Sequence, residues 1–137
     1  ILDLMLDLQA EFGMSIMLIT HDLGVVAEMA DEVAVMYLGR VVERADTERI
    51  FNAPRHPYTR ALMRSIPGIG GVRKSRLKTI QGSVPDPFQQ LAGCPFHPRC
   101  EEAIAGVCDR GGRPPFVEVA PGHFAACALY QEARVHG

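Results

Sequence analysis

Residues 16–43 read IMLITHDLGVVAEMADEVAVMYLGRVVE, and this stretch decides the predicted fold class. It begins with a continuous apolar run, residues 16–19, of the kind found in strands buried on both faces of a parallel sheet. From Leu23 to Ala30 the apolar residues recur at helical spacing, and Asp22 stands where an N-cap is expected. A buried strand followed by a helix indicates an α/β fold.

The segments around this strand and helix add a hairpin and three more helices. Two runs rich in β-formers, 33–37 and 40–43, flank Leu38 and Gly39, which predicts a hairpin even though Leu38 is a poor residue for positive φ. Helical spacing and bounding Gly or Pro residues predict helices over residues 1–12, 46–52 and 58–65.

A single buried strand cannot make a parallel sheet. Its neighbours would have to come from other βα units, and residues 1–30 contain only this one. We therefore expect the missing strands before Ile1 or in another chain. The chain also opens on Ile1 without a basic leader or a small-residue cleavage site, so no secretory signal is expected.

The composition narrows the class of protein. The 137 residues are 47% hydrophobic and 22% charged, which is typical of a soluble globular protein. The net charge of -2 offers no basic field for nucleic acid, and no run of about 18 apolar residues is present to span a bilayer. We expect any membrane association to go through a partner.

Four cysteines lie in the last third of the chain, at Cys94, Cys100, Cys108 and Cys127. Without a signal peptide, free thiols or a metal site are favoured over disulfides. Four thiolates match the ligand count of a [4Fe–4S] cluster or a structural zinc, and His97 and His123 could substitute as zinc ligands. The spacing contains no Cys-x-x-Cys pair, so it fits neither a zinc ribbon nor the ferredoxin run.

His21 is the other candidate functional residue. It follows the apolar run and precedes the helix, so we expect its side chain at the carboxyl edge of the sheet, where open α/β folds bind ligands. A lone histidine more often has a structural role than a functional one, so the surrounding sequence is needed to distinguish the two roles.

Residues 19–43 resemble the switch-histidine segment of ABC ATPases. The resemblance implies that His21 contacts the γ-phosphate of ATP held between two nucleotide-binding domains, with Mg²⁺ as the metal in the complete subunit. An imidazole N–H can donate to a terminal phosphate oxygen and help hold the attacking water. We interpret Asp22 as a helix cap and not as a base.

Two further motifs narrow the resemblance. Residues 56–62, His-Pro-Tyr-Thr-Arg-Ala-Leu, look like the motif that begins the C-terminal extension of oligopeptide, dipeptide and nickel importer ATPases, and a packing role is expected for Tyr58. Residues 81–85 resemble a turn of the same family. The cysteine segment is similar to the end of these ATPases, where some members are thought to bind an iron–sulfur cluster; Glu101 replaces the proline that commonly follows the second cysteine.

The resemblance implies a division of the chain and a set of partners. Residues 1–53 would be the C-terminal part of an ABC ATPase domain, and residues 54–137 the transporter extension. Implied partners are a second ATPase subunit, transmembrane permease subunits and, indirectly, an extracytoplasmic binding protein. The expected location is the cytoplasmic face of the bacterial membrane, and no nucleic-acid partner is expected.

Several parts of an ATPase are missing from these residues. The chain has no Gly-x-x-x-x-Gly-Lys-Ser/Thr loop, no Leu-Ser-Gly-Gly-Gln signature and no Walker B strand, so we predict no ATP hydrolysis by this chain alone. Two alternatives to a transporter ATPase stay open: an autonomous metal-binding regulatory module, and a truncated fragment without independent function.

Overall fold

The computed structural model describes residues 2–66, 80, 82–86 and 88–130. Two positions named above, Ile1 and Gln81, lie outside the described residues. The chain divides into two compact units, residues 1–31 and 32–137. Among the described residues, no helix is long and apolar enough to cross a membrane.

The first unit contains two helices, α1 (Leu2–Phe12) and α2 (Leu23–Met29), as the sequence predicts. Helix α1 ends at Gly13, whose φ of 62° suits glycine and whose N–H donates to the Gln9 carbonyl at 2.9 Å. Helix α2 is capped by Asp22, whose carboxylate accepts from the backbone N–H groups of Gly24 and Val25. The predicted N-cap is therefore confirmed.

The predicted buried strand is wrong for this structure. Residues 14–20 form neither strand nor helix, and the side chains of Met17 and Ile19 are each 89% exposed. A strand of this kind is stable only when neighbouring strands accept and donate its backbone hydrogen bonds, and no strand is described in residues 2–31. Within residues 2–31 the apolar run therefore has no strand to pair with.

The second unit is built on a four-stranded antiparallel sheet in the order β1-β2-β4-β3. The predicted hairpin is confirmed: β1 (Glu32–Tyr37) pairs with β2 (Arg40–Asp46) through a turn in which Leu38 and Gly39 both have positive φ, 48° and 77°. Strands β3 (Val117–Ala120) and β4 (His123–Ala125) form a second hairpin, which was not predicted.

Two short helices follow the first hairpin. Helix α3 (Thr47–Asn52) is capped by Asp46, and helix α4 (Pro57–Arg64) is capped by His56 with Pro57 in its first turn. Both were predicted, and no end differs from its predicted position by more than one residue. The described part of the tail beyond residue 80 is loop-rich, apart from the β3–β4 hairpin and two single-turn 3₁₀ helices.

The core of the second unit joins the tail to the first hairpin and α4. Tyr37 of β1, Tyr58 of α4 and Phe96 of the tail form a ring cluster, with centroids 4.7 to 5.3 Å apart. Phe96 is only 2% exposed, and the packing role predicted for Tyr58 is confirmed. Strand β4 continues this connection by pairing with β2, Glu43 opposite Ala125.

Candidate functional site

His21 lies on an exposed bend immediately before α2. The bend is fixed locally, because Asp22 donates its backbone N–H to Thr20 Oγ1 at 3.0 Å and caps α2 with its carboxylate. The imidazole is therefore carried at a helix entrance with its side chain accessible to solvent. The prediction that His21 follows a strand is wrong, and the prediction that it precedes a capped helix is confirmed.

Glu43 of β2 is a buried acidic residue that the sequence analysis did not single out. Its side chain is 0% exposed, and its carboxylate accepts hydrogen bonds from the backbone N–H groups of Arg55 (2.6 Å) and His56 (2.9 Å) and from His123 Nε2 (2.6 Å). Three donors compensate the desolvation of the carboxylate. The signal was its position on the strand: Glu43 is two residues before the buried Ala45 and shares its face.

His56 joins this buried group to helix α4. Its Nδ1 accepts from the Tyr58 N–H at 3.0 Å, so Nε2 carries the proton of the neutral ring. Nε2 is buried and, among the described residues, has no hydrogen-bond partner. Burial lowers the pKa of His56 to about 4, against opposing effects of Glu43 and Ala126.

The depressed pKa of His56 predicts a pH-dependent stability. The ordinary pKa is 6.5 and the folded value about 4, so the folded state binds fewer protons than the unfolded state between these values. The stability contributed by neutral, buried His56 is fully present above pH 6.5. About 3 kcal/mol of the free energy of unfolding is lost as the pH falls to about 4. Urea unfolding at a series of pH values measures this loss.

A His56→Asn variant is the matched control for that titration. Asparagine retains an N-cap acceptor but has no titrating ring, so the variant is expected to lose less unfolding free energy between pH 6.5 and 4 than the parent chain. An identical pH dependence in the two proteins would show that other groups control the acid transition.

The four predicted cysteines come together. Cys94, Cys100, Cys108 and Cys127 line one small cavity, together with His97 and Glu102. All four are free thiols; Cys108 and Cys127 are buried, and Cys94 and Cys100 are partly exposed. Residues separated by up to 33 positions in the sequence are thus gathered at one place.

The environment of three of these cysteines favours the neutral thiol. Burial raises the pKa of Cys94 and of Cys100, and it raises the pKa of Cys127 to about 12. The neighbouring thiols act in the same direction, because a second thiolate in the cavity would repel the first. A soft cation that entered the cavity would have to displace protons from the sulfur atoms.

The four thiols are the right donor set for a soft metal, but they do not stand in a ligating arrangement. Among the described residues, no group of three or more His, Cys, Asp or Glu side chains is placed to hold a metal ion. The two alternative zinc ligands also differ: His97 lines the cavity, with Nδ1 2.7 Å from the Cys94 carbonyl oxygen, whereas His123 is bound to Glu43. The cysteines therefore match a soft-metal site in the type of donor atom and in lining one cavity, but not in ligand geometry.

Comparison with known proteins identifies the class. Residues 42–108 match the family model for the oligopeptide/dipeptide transporter, C-terminal region, and this segment includes α3, α4 and three of the four cysteines. A probable peptide ABC transporter ATP-binding protein of Sinorhizobium fredii is 52% identical over 127 residues, which cover 93% of this chain and 37% of the relative. Residues 42–108 are thus similar to the C-terminal region of this transporter family.

Two other relatives extend the comparison along the chain. The oligopeptide transport ATP-binding protein AppD of Bacillus subtilis is 46% identical over 96% of this chain and 39% of its own length. The dipeptide transport ATP-binding protein DppF of Haemophilus influenzae is 44% identical over 93% of this chain and 38% of its own length. The chain is thus similar to ATP-binding proteins of peptide ABC transporters over nearly its whole length, as predicted, and it spans about two fifths of the length of these relatives.

Proposed function

We propose that this chain is part of the ATP-binding subunit of an ABC transporter that imports peptides, and that ATP binding and hydrolysis by the complete subunit energise import. The observation that supports this is the similarity to peptide-transport ATP-binding proteins over nearly the whole chain. Residues 1–53 would end the ATPase domain, and residues 54–137 would form the extension. Nickel is the alternative substrate, as in the nickel importers that the sequence also resembles.

In this function His21 would contact the γ-phosphate of ATP. Its support is an exposed imidazole at the entrance of a helix whose cap, Asp22, is already engaged by two backbone N–H groups. ATP with Mg²⁺ would supply the phosphoryl chemistry when bound. The contribution of this chain is an N–H donor held on a short, locally braced bend, which suits a reaction governed by positioning.

The complete subunit would work at the cytoplasmic face of the bacterial membrane. Its partners would be a second ATPase subunit, identical or paralogous, and transmembrane permease subunits, with the substrate-binding protein acting indirectly. Reconstitution in liposomes tests this: the complete subunit should co-purify with its permeases and support ATP-dependent uptake of a labelled peptide. The 137-residue chain alone should show no ATP turnover, and turnover by it would contradict the proposal.

The four free cysteines favour a second candidate function, a metal-binding module. The site would hold an iron–sulfur cluster or zinc through Cys94, Cys100, Cys108 and Cys127, and it is supported by their convergence on one cavity. Anaerobic reconstitution followed by iron, sulfide and zinc analysis tests it. Cys94→Ala or Cys127→Ala should abolish metal retention, and unchanged metal content in these variants would end this hypothesis.

A further inference from the structure

The cysteine cavity is assembled from separate parts of the chain. Cys94, Cys100 and Cys108 come from the loops of the tail, and Cys127 comes from the segment after β4. Because the four residues share no helix or strand, something else must hold their backbones in place. The described residues contain two sets of contacts that do so, and each joins a different pair of cysteines.

The first set of contacts centres on Arg60 of α4. Its Nη1 donates to both carboxylate oxygens of Glu102, at 3.0 and 2.8 Å, and its Nη2 donates to the Tyr130 hydroxyl at 2.9 Å. Glu102 is two residues after Cys100, and Tyr130 is three residues after Cys127. One guanidinium therefore connects the segments that carry these two cysteines.

The Arg60 guanidinium and the Tyr130 hydroxyl are both held by further hydrogen bonds. Its Nε donates to the Pro54 carbonyl at 3.1 Å, and the Tyr130 hydroxyl donates to the Arg55 carbonyl at 2.5 Å. The planar guanidinium thus uses three nitrogens in three directions, which a lysine ammonium cannot reproduce. We call this set, made by Arg60 with Glu102 and Tyr130, the arginine clasp.

The second set joins Cys94 to Cys108 directly. The Cys94 N–H donates to the Cys108 carbonyl at 2.9 Å, and the Gly93 N–H donates to the Gly111 carbonyl at 2.8 Å. This approach requires glycine at position 93: its φ is 73°, and a Cβ would lie 2.2 Å from the Cys108 carbonyl oxygen. We call these contacts the glycine clasp.

We propose that these two clasps hold the thiol cavity together independently, and that Arg60 of the His-Pro-Tyr-Thr-Arg segment is a positioning residue for Cys100 and Cys127. The start of helix α4 then contacts the cysteine site in two ways. His56 and Pro57 line the cavity, and Arg60 holds the segments that carry Cys100 and Cys127. The proposal concerns the same site as the metal-binding candidate above, but it depends on thiol accessibility and not on a bound metal.

Site-resolved alkylation of the reduced, metal-free 137-residue chain tests it, with iodoacetamide labelling of each cysteine followed by mass spectrometry. Arg60→Ala should speed labelling of Cys100 and Cys127 by about tenfold through local opening, with less than about a twofold change at Cys94 and Cys108. Gly93→Ala should instead speed labelling of Cys94 and Cys108 and change labelling of Cys100 and Cys127 little. A general loss of structure would instead expose all four thiols together.

Arg64→Ala is the matched control. Arg64 lies one turn further along α4 and makes a single exposed ion pair with Glu101, 3.4 Å, so its removal should leave all four labelling rates unchanged. If Arg60→Ala proves to be unfolded by circular dichroism, Glu102→Gln weakens the same clasp and should still favour labelling of Cys100. Equal acceleration at all four cysteines in a folded variant, or none, would overturn the proposal whether or not the wild-type chain binds metal.

Discussion

Replacing His21 with alanine in the complete subunit is expected to lower the rate of ATP turnover by about two to three orders of magnitude while leaving nucleotide binding nearly unchanged. Under the proposed function, the imidazole donates to the γ-phosphate and helps hold the attacking water, contacts that matter most in the transition state. Turnover measured by phosphate release, with ATP affinity measured separately, checks both parts of the expectation.

Asp22→Asn is the control for this variant. The two residues are adjacent, but asparagine caps a helix about as well as aspartate, so α2 should keep its start and turnover should change little. A large loss of turnover in Asp22→Asn would mean that the carboxylate does more than cap the helix. Near-normal turnover in His21→Ala would refute the role proposed for the histidine.

The elements predicted correctly are those whose signals are local. Asp22 caps α2, Pro57 opens α4, and the Leu38–Gly39 turn closes the first hairpin, each within a few residues of its own sequence signal. The turn also shows that an unfavourable residue does not prevent a hairpin. Leu38 adopts positive φ because the paired strands on either side of it fix the turn.

The features missed or misassigned depend on distant partners. The apolar run 16–19 has the composition of a buried strand, but strand formation needs neighbours that residues 2–31 do not contain. Strands β3 and β4 are short, and β4 is held by pairing with β2, some 80 residues earlier. A pattern within one segment cannot reveal either circumstance.

The four cysteines that line the cavity could be singled out from the sequence, but the contacts that hold them together could not. The four thiols could be named from the sequence because cysteine chemistry is specific to few site types. Their support could not, since Arg60, Glu102 and Tyr130 are ordinary surface-type residues whose meeting is set by the tertiary fold. Glu43 was missed for the same reason: its three donors come from two distant places in the chain, residues 55–56 and His123.

Glu43→Ala is expected to lower the free energy of unfolding by about 3–5 kcal/mol, because it leaves three donors around a buried carboxylate without their acceptor, at about 1–3 kcal/mol each. The loss has two parts. His123, 2% exposed, would be left without its carboxylate, and the N–H groups of Arg55 and His56 would lose their acceptor at the start of α4. Stabilities of whole domains are about 5–15 kcal/mol, so this single change removes a large share.

The exposed pair of Glu32 and Arg44 provides the matched control for Glu43. Both pairs place a glutamate on the first hairpin, but Glu32 and Arg44 are 64% and 45% exposed, so Glu32→Ala should cost about 0–1 kcal/mol in the same urea titration. Since Glu43 also connects β2 to β4, its loss should detach the tail strand first, seen as faster amide exchange at Phe124 and Ala125. Similar costs for the two glutamates would mean that burial of the Glu43 carboxylate contributes nothing to holding the tail on the hairpin.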